Sequence, residues 1–236
     1  SDVYKRQTTL TKILINPQLR QGRKLLSNPH AMHAAVSAAF PPDIDNSDAR
    51  ILWRIDRNRH ENVLYIVGSE KPTAAGIVEQ AGYDTRPAQS LDYARFLGTL
   101  QKGQRWRFEL LANPTYSQYN NGKRGKVKAH VSVEHQLEWL YKRAEKAGFA
   151  LAPRVHDEVS DEERARWSVN DETAIVERRT LDFRKGENRR HIRIATARYR
   201  GTLEVTDPEL LRETLTHGIG RARGYGCGLM TLAAVS

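Results

Sequence analysis

Cysteine is nearly absent from this sequence. Cys227 stands alone among 236 residues, which excludes an internal disulfide and any zinc site built on several thiolates. No apolar run is long enough to cross a bilayer, and no secretory pattern opens the chain; the compartment these absences imply is cytoplasmic. The Gly-Lys-Ser/Thr ending of a nucleotide-binding P-loop is missing, as is the His-Glu-x-x-His pattern of zinc hydrolases. No carboxylate cluster of the kind that metal-dependent nucleases need stands out. The residues call for no metal and no cofactor.

Positive charge is what the chain has in excess. Lysine and arginine number 38 against 28 acidic residues, a net charge of +10 at pH 7. Such an imbalance implies a polyanionic partner. A membrane surface is disfavoured, because no basic helix carries a broad apolar face. Hydrophobic residues at 39% and charged residues at 28% suit a globular chain, long enough for one large domain or two small ones. Ser1 to Gln7 lacks an initiator methionine and reads as a non-native leader outside the fold.

From Thr8 to Asn16 the residues alternate and favour a strand. Asn28-Pro29 then opens a helix, with Asn as cap and Pro at the first helical position. Met32, Ala35, Val36 and Ala39 form its core stripe. Strands at 50–57 and 62–69, a helix at 73–81 and a weak strand at 83–88 complete a β-α-β-β-α-β order over residues 8–90. Residues 91–102 read as a linker. Over 103–236 the order recurs: a strand at 104–112, a polar loop at 116–128 and a helix at 133–147 capped by Ser132. A long loop at 153–172 follows, then a hairpin of 173–183 with 191–205, a helix from Asp207-Pro208 to His217, and a strand at 229–234. The expected fold class is α+β, two tandem ferredoxin-like (βαββαβ) domains with a cleft between them.

Three groups of residues carry chemistry. His30 and His33 are three apart, on one face of the opening helix. The helix N-terminus disfavours a cationic imidazole at His30. A pair of near-neutral imidazoles supplies a general base and a general acid, which is what RNA needs to be cut by its own 2′-hydroxyl. Two ordinary surface histidines would show the same spacing. The second group is the glycine-rich loop at 217–228. Gly218, Gly220 and Gly224 allow close backbone approach to a phosphate, Arg221 and Arg223 add charge, and Tyr225 offers a stacking face. The third is the basic hairpin with Arg178, Arg179, Arg184, Lys185, Arg189, Arg190, Arg193, Arg198 and Arg200, suited to tracking phosphates. Strand alternation sends part of this set to the opposite face. Lys126 and Lys128, in the basic run at 123–128, are a further candidate of the same kind, and a solvated charged face would look the same in either case.

Seven segments, in order over nearly the whole chain, resemble the CasE family, the repeat-processing endoribonucleases of type I-E CRISPR systems. They are TLTKILIN, NPHAMHAAVSAAFP, ILWRID, GQRWRFELLANPT, QLEWLYKRAEKAGF, RRTLDFRKGENRRHIRIATARYRGTLEVTDP and HGIGRARGYGCGLMTLA. The resemblance implies two ferredoxin-like domains. It also implies metal-independent cutting of a CRISPR repeat RNA hairpin on the 3′ side of its stem, and retention as one of the Cascade subunits. The family's catalytic histidine corresponds to His33. His30 stands where members often carry tyrosine, Ala34 where a basic residue often follows the histidine, and Leu111 where the family has Arg-Ala-Asn-Pro. Three rival readings remain: a non-catalytic RNA-hairpin-binding subunit of the same kind of complex, a structural nucleoprotein, and a metal-dependent nuclease.

Overall fold

Alternation in the first strand sends Thr11, Ile13 and Ile15 to one buried face, and that face collects the first three helices of the first unit. The computed structural model describes residues 8–42, 51–120, 122–186 and 188–235; the leader expected at 1–7 lies outside them. The first unit comprises β1 (Thr9–Ile15), α1 (Arg20–Ser27), α2 (Pro29–Ala38), β2 (Leu52–Arg57), β3 (Asn62–Gly68), α3 (Ala75–Ala81), β4 (Gln89–Asp92) and α4 (Tyr93–Gly98). Its antiparallel sheet runs β2-β3-β1-β4, the ferredoxin-like order. The α2 cap forms as its residues dictate: the Asn28 side chain accepts from the backbone N–H groups of His30 and Ala31, satisfying two otherwise orphaned donors. Met32 and Val36 are fully buried against Ile13, Leu64 and Ile66.

The second unit comprises β5 (Arg105–Ala112), β6 (Thr115–Asn120), β7 (Lys123–Ala129), α5 (Val133–Ala144), β8 (Phe149–Leu151), α6 (Asp161–Ala165), β9 (Ala174–Lys185), β10 (Arg190–Val205), α7 (Pro208–His217) and β11 (Met230–Ala234). Its sheet runs β11-β5-β10-β8, with β9 paired to β10. Stripped of β6, β7 and β9 this is again βαββαβ. β9 and β8 share one edge of β10. Only β9 pairs with β10 over Arg190–Thr196, so the hairpin projects beyond the sheet as a two-stranded ribbon. Among the described residues no helix is long and apolar enough to cross a membrane.

Several sequence expectations change. The strand expected at 83–88 is only an isolated bridge between Tyr83 and Arg86; the fourth strand is Gln89–Asp92, held by β1. The linker expected at 91–102 is the end of β4 and helix α4, because Tyr93 and Leu97 are buried in the core. The loop expected at 116–128 is the β6–β7 ribbon, whose polar residues give no apolar alternation to read. The long loop at 153–172 contains α6, and α1 has no counterpart among the expected elements.

The central strands of the first sheet are covered on both faces. Leu52 and Val67 belong, with Tyr93 and Leu97 of α4, to the core of Phe108, Leu110 and Tyr199 in the second unit. Beside that shared core lies a charged lock. Arg54, 1% exposed, donates to both Asp56 oxygens (2.7 and 2.8 Å), to the Glu109 and Leu229 carbonyls (2.8 and 3.0 Å) and to Thr231 Oγ1 (2.8 Å). Arg198 donates to Asp56 (2.6 Å), the Glu109 carboxylate (3.0 Å) and the Ile55 carbonyl (2.8 Å). Arg198, one of the basic hairpin residues, therefore faces the first unit instead of a ligand.

Candidate active site

His33 and His30 sit on the face of α2 turned away from Met32 and Val36. Both are half-buried. The glycine-rich loop folds across this face: a Cβ built on Gly224 would lie 3.6 Å from the His33 ring. Burial lowers the His33 pKa below the ordinary imidazole value, and His30 and Lys185 lower it further by their charge. The neutral imidazole is thus favoured. His30 Nδ1 is buried with no hydrogen-bond partner among the described residues.

Lys185 reaches this site through the hairpin tip. Phe183, buried, packs on Tyr225 of the loop with ring centroids 5.0 Å apart, and Lys185 Nζ stands 5.8 Å from the same ring. The tip of β9 is thereby docked beside α2, although the two are far apart in sequence. Sequence reading placed Lys185 among the phosphate-tracking residues; nothing local signalled its approach to His33.

The other glycines of the loop serve packing. A Cβ on Gly218 would come within 2.9 Å of the Leu52 side chain, one on Gly220 within 2.8 Å of Trp139, and one on Gly226 within 2.7 Å of Trp53. All three have positive φ (81°, 83° and 84°), open to glycine at little cost. Arg223 lies across the loop, its Nε buried and unpartnered among the described residues, while Arg221 is exposed. Burial pushes the Cys227 thiol up to about 12, so no thiolate nucleophile is available here.

The remaining basic candidates lie along β9, β10 and the β6–β7 ribbon. Arg178 donates to the Val131 carbonyl, between β7 and α5. Arg179 pairs with Glu177 (3.1 Å), and Arg193 with Asp182 (3.5 Å). Arg184, Lys126 and Lys128 are exposed. The Arg178 contact ties the base of the β6–β7 ribbon to β9, so the two basic ribbons adjoin.

Residues 9–234 match the family described as CRISPR associated protein. The CRISPR-associated endoribonuclease Cse3 of Thermus thermophilus is 31% identical over 227 residues, 95% of this chain and 99% of that relative. The chain belongs to the CasE family. The structure of Thermus thermophilus Cse3 bound to an RNA representing a pre-cleavage complex superposes on this CasE-family chain with a TM-score of 0.75. The two are 26% identical, covering 97% of this chain and 100% of that one. The CRISPR-associated protein Cas6e from Escherichia coli K-12 shares the fold (TM-score 0.59, 21% identity, 97% and 100% covered).

Two departures from the family pattern have structural settings. His30 occupies a position flush with His33, where its charge acts on that ring. Leu111 lines the cleft between the units, and its carbonyl accepts the Gly228 N–H at 2.8 Å.

Proposed function

We propose that this chain is a metal-independent endoribonuclease that cuts CRISPR repeat RNA at the base of its stem-loop. It then keeps the hairpin as a subunit of a Cascade-type surveillance complex. The observation that carries the reading is His33, set against Gly224 of the glycine-rich loop, with burial and then the charges of His30 and Lys185 favouring its neutral form. The relative named an endoribonuclease, aligned along almost its whole length, supports it.

In this reading neutral His33 takes the proton of the 2′-hydroxyl. The oxygen attacks the adjoining phosphorus, a 2′,3′-cyclic phosphate forms, and the 5′-oxygen leaves with a proton from His30. A proton on His30 disfavours one on His33, which suits a base and an acid working as a pair. Lys185 stabilises the charge gathering on the phosphoryl oxygens. The glycine loop and the basic ribbons hold the stem in position.

The test is incubation with the cognate repeat hairpin in excess EDTA, read on a denaturing gel. A single cut is expected, lost when the nucleotide at the cut lacks its 2′-hydroxyl. Tight binding with no cut would instead assign the chain as a non-catalytic hairpin-binding subunit. A second expectation concerns the ribbons. Lys126→Glu with Lys128→Glu lowers hairpin affinity and reduces the slope of log affinity against log salt by about 1 per lost phosphate contact. An unchanged slope in filter binding would place the stem elsewhere.

A further inference from the structure

The β6–β7 ribbon carries a row of rings at its base. Tyr116 and His130 have centroids 4.8 Å apart, and His135, in the first turn of α5, follows 5.9 Å beyond His130. The row is anchored in the second unit. The His130 backbone N–H donates to the Pro114 carbonyl at 3.0 Å. Gln136, 2% exposed, donates its side-chain amide to the His130 carbonyl at 2.9 Å. The Tyr199 hydroxyl, itself in the core, donates to the Gln136 carbonyl at 2.6 Å. His135 Nδ1 and Ser132 Oγ share a hydrogen bond at 2.8 Å. Burial, then the charge of His135, holds the His130 pKa below the ordinary imidazole value, which favours an uncharged ring at the centre of the row.

Tyr116 ends the row on the ribbon and is 43% exposed. Residues paired directly across two strands project to the same side, as do alternate residues along each strand. Tyr116 pairs with Lys128, and Gln118 with Lys126, so the ring and both exposed lysines face one way. An aromatic face flanked by cations suits unpaired nucleotides: the ring stacks on a base and the cations follow the phosphates. Bases inside a stem are already stacked on their neighbours, so the match is to a loop or a free end.

Position along the long hairpin decides between these two. The charge of Lys185, at the tip of β9, bears on His33. Arg178 donates to the Val131 carbonyl, next to His130. From Arg178 to Lys185 the strand runs about 23 Å. A stem lying along the hairpin with its base at His33 covers that distance with on the order of seven stacked pairs, and its apical loop then arrives at Tyr116.

We propose that Tyr116 stacks on an unpaired base of the apical loop of the bound hairpin, with Lys126 and Lys128 on that loop's phosphates. The inference rests on the reading of His33 as the cutting site, which fixes the end of the stem that lies at the tip. Holding the hairpin at both ends makes recognition sensitive to stem length as well as to the loop.

The experiment uses hairpins lacking the 2′-hydroxyl at the cut, so that binding is read apart from cutting. Filter binding compares the native loop with a loop replaced by a flexible ethylene-glycol linker, which carries no base. With the native loop, Tyr116→Ala is expected to weaken binding about 5- to 150-fold. Tyr116→Phe keeps the stacking face and is expected to bind nearly as the wild type does. With the linker loop, or with several base pairs added to the stem, Tyr116→Ala is expected to change nothing. Equal weakening of native-loop and linker-loop hairpins would overturn the proposal and make the ring a support of the ribbon alone. Cutting of the intact hairpin separates the two readings. If it is cut, and Tyr116→Ala leaves native-loop affinity as it was, the loop contact is overturned and the cutting reading stands. If it is not cut, and the loop-dependent loss is seen, the cutting reading is overturned and the loop contact stands.

Discussion

Replacing His33 by alanine is expected to slow cutting of the repeat hairpin by about 10²- to 10⁴-fold while leaving hairpin affinity nearly unchanged. The ring sits at the loop–helix junction and takes no part in the buried core, so its loss removes a proton acceptor and little packing. The pH–rate profile gives a second check. Burial, then the charges of His30 and Lys185, hold the His33 pKa below 6.5, the ordinary imidazole value. A base must be deprotonated to act, so the acidic limb of the wild-type profile lies below that pH. Lys185→Met removes a cation that opposes protonation of His33. Its pKa rises, and the acidic limb moves to higher pH, in addition to any loss of rate from missing phosphoryl stabilisation. Full cutting by the alanine variant would remove His33 from the mechanism. An unmoved limb in Lys185→Met would separate the lysine from it.

Asp56→Ala is expected to cost about 3–5 kcal/mol of folding stability, the usual penalty for stripping one partner from a buried ion pair. Asp56 is the shared acceptor for Arg54 and Arg198, whose side chains are 1% and 8% exposed. Without it both guanidiniums keep their burial and lose their nearest anion. Burial alone would push the Asp56 carboxyl up, but hydrogen bonds and charge from Arg54, with those of Arg198, outweigh it and hold the pKa below the ordinary carboxylate value. A depressed carboxyl stabilises the fold above its unfolded-state pKa, and that contribution is lost as pH falls through the folded value. The wild type should therefore lose stability in acid more steeply than Asp56→Ala. Urea unfolding measures both: the midpoint falls in the variant at neutral pH, and the gap between the two proteins narrows in acid. A midpoint within experimental error of the wild type would mean that the shared apolar core, from Leu52 and Val67 to Phe108 and Leu110, holds the units together unaided.

Much of the site's local frame was legible from residue order. Asn28-Pro29 announces the start of α2, and the Met32–Val36 stripe settles which face is buried, leaving His30 and His33 on the other. The long hairpin was equally plain, because its arms alternate over many residues around a polar turn. The β6–β7 ribbon was not, since it buries no apolar face and its pairing leaves no trace in periodicity. β4 was displaced for a related reason: its four residues are all exposed, and it exists because β1 offers an edge.

The sequence by itself determined that two βαββαβ units would form, that a helix N-terminus would present two histidines, and that the surface would carry a strong positive charge. Those properties depend on residues near one another in the chain, or on composition, and solvent exposure selects them one element at a time. Only the tertiary structure decided which basic residue brings its charge to bear on His33 and which holds the units together. Lys185 is brought to the histidine loop by Phe183 against Tyr225, and Arg198 is withdrawn to Asp56, 142 positions away. Charges of one kind on one ribbon are alike in sequence. Their work diverges once strand pairing has set each side chain toward the other unit or toward solvent, and only packing between distant segments makes that choice.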